Sequence, residues 1–185
     1  MKRYFILFFL IVSGFAGEAQ VDSALLRKNI YASEDSMIAI FKRRDWKSYT
    51  NYMNPVLIEM MGGKEGFVQY FQEQMKFLDV AEIQVIKAGE VLQIVKLKDQ
   101  YQCIAESFLQ MKIEETIISG SSYDIGVSKD GIAWTFLRIT EDATQDQIRE
   151  FLPDLSPDLK LPRSQMKLGK TLEEFMASYT LEYLN

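Results

Sequence analysis

Hydrophobic residues along this chain change their spacing once, near Leu78. Before that point they recur three or four residues apart, the repeat of an α-helix. After it they alternate, or run in stretches rich in β-branched and aromatic residues, as strands do. Helices gathered in one half and strands in the other exclude the strand–helix alternation of a parallel α/β sheet. They predict an α+β domain, with N-terminal helices packed on an antiparallel sheet. The chain has 185 residues, 48% of them apolar, which is enough material for one packed core.

In the helical half, Leu26, Ile30, Met37, Ile38 and Phe41 mark a helix over Ser23–Arg44, with Ser23 as its N-cap. Lys42, Arg43 and Arg44 fall in its last turn, where cations suit the helix dipole. Asp45 caps a short second helix carrying Trp46, Tyr49 and Tyr52, which Asn54-Pro55 breaks. A third runs Pro55–Met61 and stops at Gly62-Gly63, and a fourth spans Lys64–Leu78 with Phe67, Phe71 and Met75 on one side. Five strands follow: Val80–Lys87, Val91–Lys98, Tyr101–Ile113, Thr116–Val127 and Ile132–Ile139. Turn signals at Ala88-Gly89-Glu90, Lys98-Asp99-Gln100, Glu114-Glu115 and Lys129-Asp130-Gly131 make them hairpins. The tail carries a helix over Thr144–Leu152, a proline-rich stretch, and an amphipathic terminal helix over Thr171–Tyr183 that opens on a Thr171/Glu174 capping box. That last helix packs on its own domain or clasps a second subunit.

The N-terminus is an address. Lys2 and Arg3 precede the apolar run Tyr4–Phe15, and the small residues Ala16, Gly17 and Ala19 follow. This is the layout of a secretory signal peptide, cut after Ala19, with Ala16 as the alternative site. The run is shorter than the roughly 20 residues of a membrane span; an uncleaved anchor is the competing reading. The chain then divides into a signal peptide (1–19), an α+β domain (20–162) and a C-terminal helical tail (163–185), exported to the periplasm or beyond.

Composition removes whole classes of chemistry. The chain has no histidine, hence no Ser-His-Asp triad, Cys-His pair or His proton shuttle. Its one cysteine, Cys103, lies in a strand and is expected in the core; it can form neither an internal disulfide nor a cysteine-based zinc site. Twenty-one basic against 26 acidic residues, a net charge of −5, make it a poor partner for nucleic acid. The GGKEG string lacks the rest of a phosphate-binding loop, and Glu141, Asp142 and Asp146 lack the spacing of a calcium loop. No metal, no cofactor and no catalytic residue is assigned.

Four segments carry a family resemblance. FKRRDWKSYTNYMNP (Phe41–Pro55) is followed by GGKEGFVQYF (Gly62–Phe71), then YDIGVSKDGIAWTFLRI (Tyr123–Ile139) and FLPDLSPDLKLP. In this order, over Ser23–Pro162, the chain resembles exported bacterial members of the nuclear transport factor 2-like superfamily, which shares its cone-shaped, cystatin-like α+β fold with the ketosteroid isomerases. The terminal helix from Thr171 departs from that pattern. The resemblance implies a curved sheet, a pocket between its inner face and the helices, and frequent dimers through the sheet face. Some members are enzymes and many only bind, so fold alone does not give function. The isomerases' aspartate base with tyrosine and protonated aspartic acid matches no motif here.

Candidates for the pocket wall are the aromatics Trp46, Tyr49, Tyr52, Phe67, Tyr70 and Phe71 from the helices, with Tyr123 and Trp134 from the strands. Each is otherwise ordinary core. Ser107, Ser119 and Ser121 are the polar groups expected inside, whereas Glu106 and Asp124 fall on the less apolar strand faces and are expected in solvent. The function this supports is an exported, non-catalytic domain binding a small apolar ligand or a partner protein. One alternative is an isomerase-, dehydratase- or hydrolase-like enzyme, which needs an Asp or Glu buried in the pocket with a raised pKa. The other is a dimerisation or assembly module.

Overall fold

Asp22, rather than Ser23, caps the first helix by accepting a hydrogen bond from the Ala24 amide at 2.9 Å. The computed structural model describes residues 22–76 and 82–184. The expected signal peptide, its cleavage after Ala19 and the boundary near Leu78 lie outside them. Helix α1 (Ser23–Lys42) buries Leu26, Ile30, Glu34, Met37 and Ile40. Asp45 caps α2 (Trp46–Tyr49), which runs into a 3-10 turn, Thr50–Tyr52. Asn54 caps α3 (Pro55–Met60) by accepting from the Val56 and Leu57 amides, and Pro55 sits where its missing N–H costs nothing. Gly62 and Gly63 both take positive φ, 86° and 83°, and so turn the chain into α4 (Gly63–Gln74).

The strands form one antiparallel sheet. Its order is β1 (Ile83–Lys96), β2 (Tyr101–Ile113), β3 (Thr116–Ser128), β4 (Thr135–Ile139). A fifth strand, β5 (Gln165–Leu168), pairs with the first part of β3, while β4 takes its second part. Two expectations change here. Ala88-Gly89-Glu90 is a bulge inside one long strand rather than a turn between two: the register slips between Ala88/Ser107 and Val91/Ala105. Strand β2 is long enough to pair with β1 along its whole length. The amide and carbonyl of Val91 are taken up by the Tyr31 hydroxyl and the Arg27 guanidinium of α1. The last hairpin strand starts at Thr135 rather than Ile132, because Asp130 Oδ1 accepts from the Ile132 and Ala133 amides and holds them in the turn.

In the tail, α5 (Gln145–Phe151) opens on a Thr144/Gln147 capping box and α6 (Leu172–Ser178) on the expected Thr171/Glu174 box. Helix α6 ends well before Tyr183. Beyond it Tyr179 bonds to Glu106, and the backbone pairs with 161–163 through Arg163 N to Glu182 O and Leu184 N to Leu161 O. These tertiary bonds replace the helical ones. Among the described residues no helix is long and apolar enough to cross a membrane.

Both faces of the sheet are covered. Ile30, Met37, Trp46 and Phe67 pack with Cys103, Ala105, Trp134 and Phe136 on the helix side. On the other side Ile104, Tyr123, Ile125, Leu137 and Ile139 are covered by Ile148, Leu152, Leu155, Leu159, Leu161 and Leu184, and Phe108 by Leu172 and Phe175. Each buried leucine contributes about 1.5–3 kcal/mol. The chain's own tail thus covers this face of the sheet. Residues of the segment 163–184 pack on the sheet through β5, Leu172, Phe175 and Leu184.

Candidate functional site

Between the helices and the sheet lies a cavity of about 370 Å³, within the usual range of small-molecule sites. Its walls are apolar. Met37, Ile38 and Phe41 come from α1, Phe71 and Met75 from the end of α4, Ile83 and Ile86 from β1, and Leu109 and Met111 from β2. Its polar groups are Glu34, Tyr49, Ser107, Ser122, Asp124 and Arg138.

Sheet register gathers four of these. Ser107 lies opposite Ser122 across β2 and β3, and their hydroxyls meet at 2.8 Å. Asp124 lies opposite Arg138 across β3 and β4, in a two-pronged ion pair: Nε to Oδ1 at 3.0 Å and Nη2 to Oδ2 at 2.7 Å. Such fork-to-fork geometry is the strongest form of this contact. The Asp124 charge raises the Arg138 pKa further above its ordinary value. Asp124 keeps 3% of its side-chain surface accessible and Arg138 keeps 45%. Arg138 is thus exposed while Asp124 is buried, and both border the cavity.

Glu34 reaches the same space from α1. It is 1% exposed, and its Oε2 is sealed from solvent without a hydrogen-bond partner. Burial pushes its carboxyl up to about 8; the charges of Asp124 and then Asp35 add to this, and Arg138 opposes it. Glu34 is therefore a neutral carboxylic acid at pH 7. A buried polar group left unpaired costs about 1–3 kcal/mol, and this one belongs to a residue of the cavity wall. Tyr49 is also buried, and desolvation raises its phenol pKa.

The residues singled out in the sequence divide. Tyr49, Phe71 and Ser107 line the cavity. Trp46, Phe67 and Trp134 are buried in the helix-side core, where Phe67 stacks on Phe71 at 4.5 Å and Trp46 lies 5.6 Å from it, holding the wall in place. Tyr52 packs against that core without reaching the cavity, and Tyr70 is exposed. Tyr123 belongs to the opposite face of the sheet. Ser119 is buried against the tail, donating to the Lys170 carbonyl at 2.8 Å. Cys103 is buried, and desolvation drives its thiol pKa far upward, which makes it inert core.

Glu106 and Asp124 correct the expectation of solvated charges, since both are buried. Strand parity alone does not say which face meets water, and here helices cover one face and the tail the other. Asp124 falls on the cavity side. Glu106 falls on the tail side, where its Oε1 accepts from the Tyr123 hydroxyl at 3.2 Å and the Tyr179 hydroxyl at 2.9 Å, and burial raises its pKa. Glu34 is absent from the sequence-based candidates, although its position carries a signal: a charged residue four after Ile30 and three before Met37, on the apolar stripe of a helix.

A scan against protein-family models finds no match for this chain, and a search of curated proteins finds none.

Proposed function

We propose that this chain is a small-molecule-binding domain of the nuclear transport factor 2-like type, exported by its N-terminal signal. The cavity would hold a mostly apolar molecule with one polar end. The observation that carries the reading is the buried Glu34, whose Oε2 has no hydrogen-bond partner, in the wall of a largely apolar cavity of ligand-binding size. Helices followed by an antiparallel sheet, with the space between them, agree with the family proposed. The test is titration with anilinonaphthalene sulfonate, a dye that brightens in apolar surroundings. Saturation at one site in the parent protein, lost in the cavity-filling Leu109→Trp variant with melting unchanged, is expected. Unsaturable binding indifferent to that substitution defeats the reading. For export, N-terminal sequencing of the protein from its native cells should begin at Gln20.

A second reading is favoured by one further observation: two carboxyl groups on one cavity stand in different states, Glu34 protonated and Asp124 paired with Arg138. A carboxyl held protonated in such a cavity can act as a general acid toward a bound substrate without histidine. Deuterium exchange into an apolar ketone such as 2-decanone tests it. The parent should exceed the Glu34→Gln variant; equal rates reject catalysis of this kind.

A further inference from the structure

The polar end of the cavity is richer in donors than in acceptors. A guanidinium has five N–H groups. Arg138 uses Nε and Nη2 on Asp124 and makes no other hydrogen bond among the described residues, while nearly half its side chain borders open space. Glu34 adds a buried carboxyl whose Oε2 has no hydrogen-bond partner. The Ser107–Ser122 pair can use only one of its two hydroxyl protons internally. The one fixed anion, Asp124, already has both oxygens on Arg138.

Charge points the same way. The groups that act on Glu34 are Asp35 on its own helix, Asp124 on β3 and Arg138 on β4, with the Cys103 thiol of β2 nearby as a neutral neighbour. Asp124 and Arg138 cancel, so the floor is uncharged when Glu34 holds its proton. An ammonium placed there would meet the guanidinium. A hydroxyl would leave most of the donors unmatched. A carboxylate matches the guanidinium fork and takes the Glu34 proton as a hydrogen bond.

We infer that the ligand is an amphipathic carboxylate, its acid head between Arg138 and Glu34 and its hydrocarbon against the wall of Met37, Phe41, Phe71, Met75 and Met111. This rests on the ligand-binding reading above and deepens it. Because the head needs Glu34 protonated, binding takes up a proton where free Glu34 is ionised, and affinity falls as pH rises past about 8.

Calorimetric titration of the full chain with decanoate, 1-decanol and decylamine separates the outcomes. Decanoate should bind one to one at pH 7, about tenfold or more tighter than the other two. Its affinity should drop by up to about tenfold per pH unit above pH 8, with proton uptake visible as a buffer-dependent heat. In Glu34→Gln the binding at pH 7 should weaken severalfold and its pH dependence should vanish; in Leu109→Trp binding should be lost. If decanol or decylamine equals decanoate, the carboxylate inference falls while the cavity reading stands. If decanoate wins but its affinity is flat from pH 7 to 9, Glu34 is not part of the head site and the inference falls likewise. If none of the three binds the folded protein, both readings fall.

Discussion

Glu34 and the Asp124–Arg138 pair are where single side chains decide the chemistry. The folded-state pKa of Glu34, about 8 against an ordinary 4.5, means the folded chain holds a proton that the unfolded chain gives up. Stability from this group is therefore full below pH 4.5 and is lost as pH rises through 8. Replacing Glu34 with Gln removes the loss. The variant should match the parent near pH 4.5 and melt several degrees above it at pH 8.5, a difference of a few kcal/mol. Melting curves that stay parallel across that range would contradict a buried, protonated Glu34. Asp124→Asn strips the guanidinium of its partner and should cost about 2–3 kcal/mol, less than for a fully buried pair because Arg138 borders the open cavity. In a double-mutant cycle with Arg138→Gln, urea unfolding should show positive coupling. None of these groups was legible as a site. The pattern of a strand says which residues share a face, but it does not say what lies against that face.

At the level of elements, the helices were readable because their signals are local. Caps at Asp45 and Thr171, the Asn54-Pro55 break and the glycine pair at 62–63 all act within a few residues of the backbone they direct. The bulge at Ala88-Gly89-Glu90 shows where local signals mislead. A glycine between polar and small residues looks like a turn, but here it makes room: a Cβ on Gly89 would lie 2.8 Å from Glu106 Oε2 and 2.9 Å from the Phe108 ring. Gly89→Ala should therefore destabilise by about 1–3 kcal/mol in urea. Tyr179→Phe, which removes only one donor to the same carboxyl, should cost about 1 kcal/mol. Equal effects of the two would mean that Glu106, rather than the close approach, governs the site. Strand β5 was not foreseen, since four residues of mixed polarity carry no period; its pairing with Ile118–Ser121 comes from β3, which extends past the end of β4.

For the whole molecule, the tail is the decisive feature. It turns a one-faced sheet into a two-faced one, placing Leu172 and Phe175 on Phe108 and Leu184 in the cluster around Tyr123. Removing 163–185 should expose that surface, and the truncated chain should melt lower and self-associate with rising concentration in sedimentation runs. A truncated monomer as stable as the full chain would show that the tail merely rests there. Composition and period determined the α+β class, the helices-then-strands order of the first two thirds, a core cysteine and the exclusion of histidine chemistry, because these depend on what the chain contains and on contacts a few residues apart. Only the tertiary structure decided that Asp124 and Arg138 pair beside Glu34, and that Glu106 is buried under the tail. These outcomes bring together residues far apart in the chain, and the burial that shifts their protonation exists only once both faces of the sheet are covered.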